Sequence, residues 1–210
     1  MAMTLLYLIR HGETELNAAR VLQPANTPLS RRGLAQAYAV AQRLAASASL
    51  SGILCSDLPR ARQTASPIAA ACALSIRFSS LLQERNFGDL RGRAYDTLDY
   101  DPLTSEAAPP GGESQAAFSA RCRAAWAAVL QHAASLEGGN MAVVTHGLVI
   151  REWCHRRTLQ VPPEIALPER WANTSVTIAD AQRPYAVSLM NSTTHLDGET
   201  AEDGSSLSGG

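Results

Sequence analysis

The chain has 210 residues, 46% of them hydrophobic and 18% charged, with a formal net charge of −1. That balance fits one globular domain with a sizeable core and argues against non-specific nucleic-acid or membrane-surface binding. The longest apolar runs fall well short of the ~20 residues of a membrane span. The first strand follows the N-terminus too closely for a signal peptide, so a cytoplasmic location is expected.

The first element is LLYLI at 5–9, an apolar run that reads as a strand buried on both faces. It ends abruptly in Arg10, His11 and Gly12. Residues 31–46 predict a helix whose apolar face carries Leu34, Tyr38, Ala41 and Ala45. GILC at 52–55 predicts a second strand, with Ser56, Asp57 and Arg60 beyond its end. Residues 59–72 predict a helix kinked at Pro67. The segment 86–112 has turn residues and little periodicity, which predicts a long excursion over the sheet of the kind that forms lids. Residues 114–136 predict a helix presenting Phe118, Cys122, Trp126, Val129, Ala133 and Leu136 on one face. MAVVT at 141–145 predicts a strand that delivers His146 and Gly147 to a helix over 147–157. VTIA at 176–179 and AVSLM at 186–190 predict the last strands. From Asp197 the residues are small, polar and acidic, so residues 1–196 are expected to form one folded domain and 197–210 a disordered tail.

Alternation of strand and helix predicts an α/β fold, a three-layer sandwich with a mostly parallel central sheet and helices on both faces. The four cysteines, Cys55, Cys72, Cys122 and Cys154, are widely spaced and lack a C-x-x-C pair. They are expected to be free, buried thiols. Neither Cys154-His155 nor His132 has metal-ligand spacing, so no metal site is expected.

In an open α/β sheet, ligands bind beyond the carboxyl ends of the strands. Three strand ends here bring Arg10, His11, Arg60 and His146 towards one edge. A single strand-end histidine is usually structural. Two His-Gly pairs after two apolar strands, with an arginine at a third, point to a site. Arginine forks suit phosphoryl oxygens, and helix N-termini add backbone N–H donors. A neutral imidazole is a nucleophile towards phosphorus, and neighbouring arginines help to keep it neutral. The glycines after the histidines, Gly12 and Gly147, permit close backbone approach.

LIRHGETELN (8–17), SDLPRARQTA (56–65), LLQERNFGDLRG (81–92) and VVTHGLVIRE (143–152) together resemble the histidine phosphatase superfamily, in the branch shared with cofactor-dependent phosphoglycerate mutases. The resemblance runs from about Thr4 to Met190, with the motifs in family order. It implies that His11 is the nucleophile that becomes phosphohistidine. It implies a phosphoryl clamp of Arg10, Arg60 and His146, with Gly147 and Asn17 also against the phosphate. Arg60, before Ala61, takes the clamp position, and Arg62 falls on the helix surface. Glu84 matches the acid that protonates the leaving group, and one carboxyl can both give that proton and later activate water. Asn173 resembles a late structural or pocket asparagine. No cofactor and no divalent metal are implied, since arginines and imidazolium supply the positive charge. No Walker-type phosphate loop occurs.

Two departures bear on substrate. Leu22-Gln23 stand where many relatives have a Gln-Gly or Thr-Gly pair, and Pro24 stiffens the loop. The loop after Glu84 is short and mixed, with Asp89, Asp96, Asp99 and Asp101 against Arg91 and Arg93. A mutase must retain a polyanionic intermediate, so this loop favours a hydrolase. Tyr95 and Tyr100 are expected to anchor it. The leading reading is a metal-independent phosphomonoesterase acting on a small phosphorylated metabolite. A cofactor-dependent phosphoglycerate mutase and a non-catalytic module for phosphorylated ligands are the alternatives. The expected assembly is a monomer or a homodimer.

Overall fold

Alternation along the strands decides which helices cover which face of the sheet. In strand β1 (Leu5–Arg10), Leu6 and Leu8 enter one apolar core while Tyr7 and Ile9 enter the other. β2 (Leu50–Ser56) divides in the same way, with Leu54 on one side and Ile53 and Cys55 on the other. β4 (Asn140–Thr145) repeats the pattern with Met141 and Val143 against Ala142 and Val144. Strands apolar on both faces need helices on both sides.

The computed structural model describes residues 4–136 and 138–201. With β3 (Ile76–Ser79), β5 (Val176–Asp180) and β6 (Val187–Ser192), the strands form a six-stranded sheet in the order β3-β2-β4-β1-β5-β6. β3, β2, β4 and β1 run parallel, and β5 and β6 add an antiparallel edge. Helices α2 (Arg31–Ser47) and α3 (Pro59–Cys72) supply one core. Helices α4 (Gln115–Ala134) and α5 (Gly147–His155) supply the other. α1 is a single turn, Glu15–Ala18. The fold is the expected three-layer α/β sandwich.

Four details differ from the sequence reading. The buried face of α2 carries Gly33, Gln36, Ala37, Val40, Ala41 and Leu44, whereas Leu34 and Tyr38 are 44% and 67% exposed. The helix turns its small residues inward because it must approach the loop after β1 closely. β3 was not predicted: SIRFS is too short and too half-exposed to stand out as an apolar run. Cys55, Cys122 and Cys154 are buried free thiols, while Cys72 is only half-buried. The expected disorder from Asp197 is wrong for 197–201, because Gly198–Thr200 form a 3₁₀ turn and the Thr200 carbonyl accepts from Gln36 of α2 at 3.0 Å. Residues 202–210 of that segment lie outside the described residues.

The excursion 86–112 is irregular yet well held. It contains 3₁₀ turns at Gly88–Leu90 and Tyr95–Thr97. Arg85 is buried at its base and donates to the carbonyls of Pro102, Ser105, Ala107 and Glu113 and to the Gln115 side chain. Tyr95 anchors it further: its ring lies 5.3 Å from the Arg20 guanidinium, and burial with a bond to Asp101 pushes its hydroxyl up to about 12. Tyr100 is exposed.

The orientation of α2 has a direct test. Leu44→Ala is expected to cost roughly 2–5 kcal/mol, as for a buried leucine. Leu34→Ala is expected to stay within ~0.5 kcal/mol, as for an exposed one. Urea unfolding of the two variants checks this, and equal losses would place the buried face elsewhere.

Candidate active site

β1 and β4 lie side by side in parallel, with Arg10 opposite Thr145. The next residue on each strand is a histidine, so pairing alone sets His11 beside His146. Their ring centres are 5.1 Å apart. The His11 N–H donates to the Thr145 carbonyl at 3.0 Å, extending the ladder one residue past the strand. His11 Nδ1 lies 2.7 Å from the carbonyl of Gly12. A ring nitrogen facing a carbonyl is the protonated one, so the other nitrogen, Nε2, carries the lone pair.

The loop that follows is pinned from two sides. Gly12 donates its N–H to Thr64 Oγ1 at 3.0 Å, and Thr64 donates to the Arg60 carbonyl at 2.7 Å. Thr64 thereby ties the loop to the first turn of α3, where Arg60 sits. A Cβ on Gly12 would stand 2.6 Å from the Gly33 carbonyl oxygen, and one on Gly33 would stand 2.0 Å from that of Glu13. Both positions need glycine because two backbones meet there. Glu13 closes the contact by accepting from Ser30 and Arg32.

Arg10, Arg60, His11 and His146 are all at most 2% exposed. Arg10 donates to the Trp171 carbonyl. Arg60 donates weakly to the Pro24 carbonyl at 3.4 Å, and its Nε has no partner among the described residues. His146 meets Ser56 Oγ at 2.8 Å through Nε2, while its Nδ1 has no partner among the described residues. Buried polar atoms without partners call for a ligand that pairs with them. Gly147 begins α5 directly after His146.

Glu84 enters the same cluster from the segment after β3. Its carboxylate accepts from the N–H of Arg85 at 2.9 Å and from that of Leu148, in the first turn of α5, at 3.2 Å. Burial raises its pKa above the usual carboxylate value, against those two hydrogen bonds and the charges of Arg60 and Arg10. Burial is also the first cause for the histidines. It holds His11 and His146 well below the ordinary 6.5, and Arg60 and Arg10 push both further down. The result is a pair of neutral imidazoles, two fixed cations and a carboxyl biased towards its protonated form.

Asn17 belongs to the frame of this site. Its Oδ1 accepts from Thr14 N–H in a capping box, and its Nδ2 donates to Asn173 Oδ1 at 3.1 Å. Asn173 Nδ2 in turn donates to the His11 carbonyl at 3.0 Å. Both asparagines therefore bear on the position of His11. Leu22 is a core residue, and Gln23 is buried against Thr14 Oγ1. Arg62 is exposed, stacked over Phe78. Sequence reasoning missed Ser56 and Thr64 as hydrogen-bond partners, and missed Arg85, Glu113 and Arg121 behind Glu84. The only signal was that SDLPRARQT and QERN place polar residues next to the assigned ones. Among the described residues, no group of three or more His, Cys, Asp or Glu side chains could hold a metal ion. No helix there is long and apolar enough to cross a membrane.

The model of the histidine phosphatase superfamily (branch 1) matches residues 6–192. The chain belongs to this family. A Salmonella choleraesuis protein named "Probable phosphoglycerate mutase" is 37% identical over 155 residues, covering 69% of this chain and 70% of its own. The structure of Bacillus stearothermophilus YhfR superposes with a TM-score of 0.75 at 27% identity, over 91% of this chain and 98% of the other. A mycobacterial glucosyl-3-phosphoglycerate phosphatase superposes with a TM-score of 0.67 at 28% identity, over 85% and 90%. Relatives thus include both a phosphatase and a mutase by name.

Depressed histidine pKa values have a consequence for stability. Just below pH 6.5 the unfolded chain takes up protons that the folded His11 and His146 refuse. Stability is therefore expected to fall as pH drops from 7 to 5, by up to about 1.4 kcal/mol per pH unit for each histidine. Urea midpoints measured across that range should slope less steeply in His146→Gln than in wild type; equal slopes would refute the shift at His146.

Proposed function

We propose that the protein is a metal-independent phosphomonoesterase, a histidine acid–base phosphatase, acting on a small phosphorylated metabolite through a phosphorylated His11. The observation that carries this reading is one juxtaposition. A buried neutral imidazole with its lone pair on Nε2 shares a cluster with two arginines, a second histidine and a carboxyl biased towards protonation.

A phosphate monoester entering the cluster meets Arg10 and Arg60, whose forks suit its non-bridging oxygens. His146 and the backbone around Gly147 add donors on the side of α5. His11 Nε2 attacks phosphorus as the ester bond to the leaving oxygen breaks, and Glu84 gives that oxygen its proton. The product is an alcohol, with the phosphoryl group on His11. Glu84, now ionised, takes a proton from water. The resulting nucleophile attacks phosphorus, the N–P bond breaks, and inorganic phosphate leaves with the carboxyl again protonated. Positive charge fixed before the reaction stabilises the transferring phosphoryl group without moving to meet it.

Hydrolysis is favoured over transfer within the substrate by the excursion after Glu84. It carries four aspartates, Asp89, Asp96, Asp99 and Asp101, against two arginines, Arg91 and Arg93, while Arg20 and Arg85 beside it are engaged with the protein. The similarity to a named mutase supports the second reading, in which a bisphosphate is retained and reoriented. Fold and clamp are common to both chemistries.

Hydrolysis of an aryl phosphate in excess EDTA, for wild type beside His11→Ala, tests the proposal. Wild type is expected to turn over, and the variant to lose about a thousandfold or more, as when a covalent nucleophile is removed. Equal activity in both would remove His11 from the chemistry. With 3-phosphoglycerate and a bisphosphate primer, inorganic phosphate is the expected product; formation of the positional isomer in excess over phosphate would favour the mutase.

A further inference from the structure

Glu84 is carried by an irregular stretch between β3 and the excursion. Such a segment fixes a side chain only through contacts made from outside it. Thr145 holds the Leu82 carbonyl and Asp57 the Gln83 side chain, and three further contacts come from Arg121, in the second turn of α4. Its Nη1 donates to the carbonyls of Leu81 at 2.9 Å and Gln83 at 2.7 Å, and its Nη2 to that of Glu84 at 3.2 Å. Nε and Nη2 also fork the carboxylate of Glu113, both at 2.8 Å. All five N–H donors of the guanidinium are thus engaged. Glu113 in turn accepts from the N–H of Asn86 at 2.8 Å. One ion pair grips the chain before, at and after Glu84.

We propose that Arg121 and Glu113 are a positioning pair for the acid–base carboxyl of Glu84. The guanidinium fixes where the carboxyl sits, and Glu113 cancels the guanidinium's charge beside it. This inference rests on the phosphatase reading, in which Glu84 protonates the leaving oxygen.

Charge cancellation matters because of what else faces Glu84. Arg10 of β1 and Arg60 of α3 both favour the carboxylate, while burial opposes it and prevails. Arg85, Arg121 and Cys122 also interact with it, and α5 contributes the Leu148 N–H. A third uncompensated cation would tip Glu84 towards the ionised form, which cannot donate a proton. With Glu113 in place, Arg121 organises the segment and adds little net field. Lysine could not replace it, having three donors and no fork.

Leaving-group dependence separates positioning of the acid from support of the fold. p-Nitrophenolate departs without a proton, whereas phenolate depends more on one. Single-turnover release from p-nitrophenyl and phenyl phosphate would be measured in EDTA for wild type, Arg121→Met, Arg121→Lys, Glu113→Gln and Glu84→Gln. Arg121→Met is expected to slow the phenyl ester at least about tenfold more than the nitrophenyl ester, part of the hundredfold or more typical of a general acid. Inhibition by inorganic phosphate should stay within about twofold, because the clamp does not involve α4. Arg121→Lys should recover only part of the loss, and Arg121→Met should add nothing in the Glu84→Gln background. Glu113→Gln keeps an acceptor but leaves the guanidinium charge uncancelled, so the basic limb of kcat/KM for phenyl phosphate should move to lower pH. Equal slowing of both esters, a matching loss of phosphate inhibition, or an unmoved limb in Glu113→Gln would overturn the pair's role. Should Arg121→Met fail to fold, the lysine and Glu113→Gln variants carry the same comparisons. A wild type without His11-dependent release would instead overturn the phosphatase reading itself.

Discussion

The parallel pairing of β1 with β4 is the constraint from which the site follows. Because Arg10 stands opposite Thr145, the strands end in step and hand His11 and His146 to the same place. A slip of one residue would exchange the residues entering the two cores, Leu6 and Leu8 for Tyr7 and Ile9. The register that buries the apolar side chains therefore also sets the histidines together. Everything else is referenced to that pair. Thr64 ties the loop after His11 to the helix bearing Arg60, Gly33 lets α2 come close beneath it, and Asn173 holds the His11 carbonyl.

Collecting two arginines and two histidines out of water is unfavourable unless their charge is limited or answered. Both limits operate. The histidines stay neutral because burial and the arginines disfavour protonation. The arginines lean on backbone carbonyls at Trp171 and Pro24. Glu84 is the nearby carboxyl, and it is itself pushed towards neutrality. The cluster is thus left with net positive charge, and among the described residues Arg60 Nε and His146 Nδ1 have no hydrogen-bond partner. On the reading proposed here, a phosphoryl dianion would supply acceptors and negative charge together. Such preorganisation holds stability below what a fully paired interior would give, which is the usual trade at a site built for charge transfer.

What was legible in the sequence follows a physical division. Strands apolar on both faces announce themselves by composition, so five strands and the residues at their tips could be read directly. Ser56, Thr64 and the Arg121–Glu113 pair were hidden, since a hydrogen-bond partner is specified by three-dimensional proximity. Arg121 looks like any cation on a helix until the fold brings the Leu81, Gln83 and Glu84 carbonyls to it. The α2 face was misread for a related reason. Large residues such as Leu34 and Tyr38 dominate a periodicity reading, yet the helix must present glycine and alanine where backbones meet. The short edge strand β3 lacked a run of apolar residues long enough to register.

The arginines around the site divide into two groups by what they touch. Arg10 and Arg60 reach the histidine cluster, where donors remain for a ligand at Arg60. Arg85 and Arg121 face inward, one fixing the excursion through four carbonyls and the other gripping the Glu84 segment. Arg20 pairs with Asp96 across the excursion's outer side. Within the excursion itself the basic side chains are Arg91, half-buried, and Arg93, exposed. Retaining a bisphosphate while it turns requires cations outside the clamp, because a second phosphate left uncompensated in a confined site is repelled by the first. Releasing inorganic phosphate requires only that water follow the departing alcohol. The hydrolase we propose needs only the second of these.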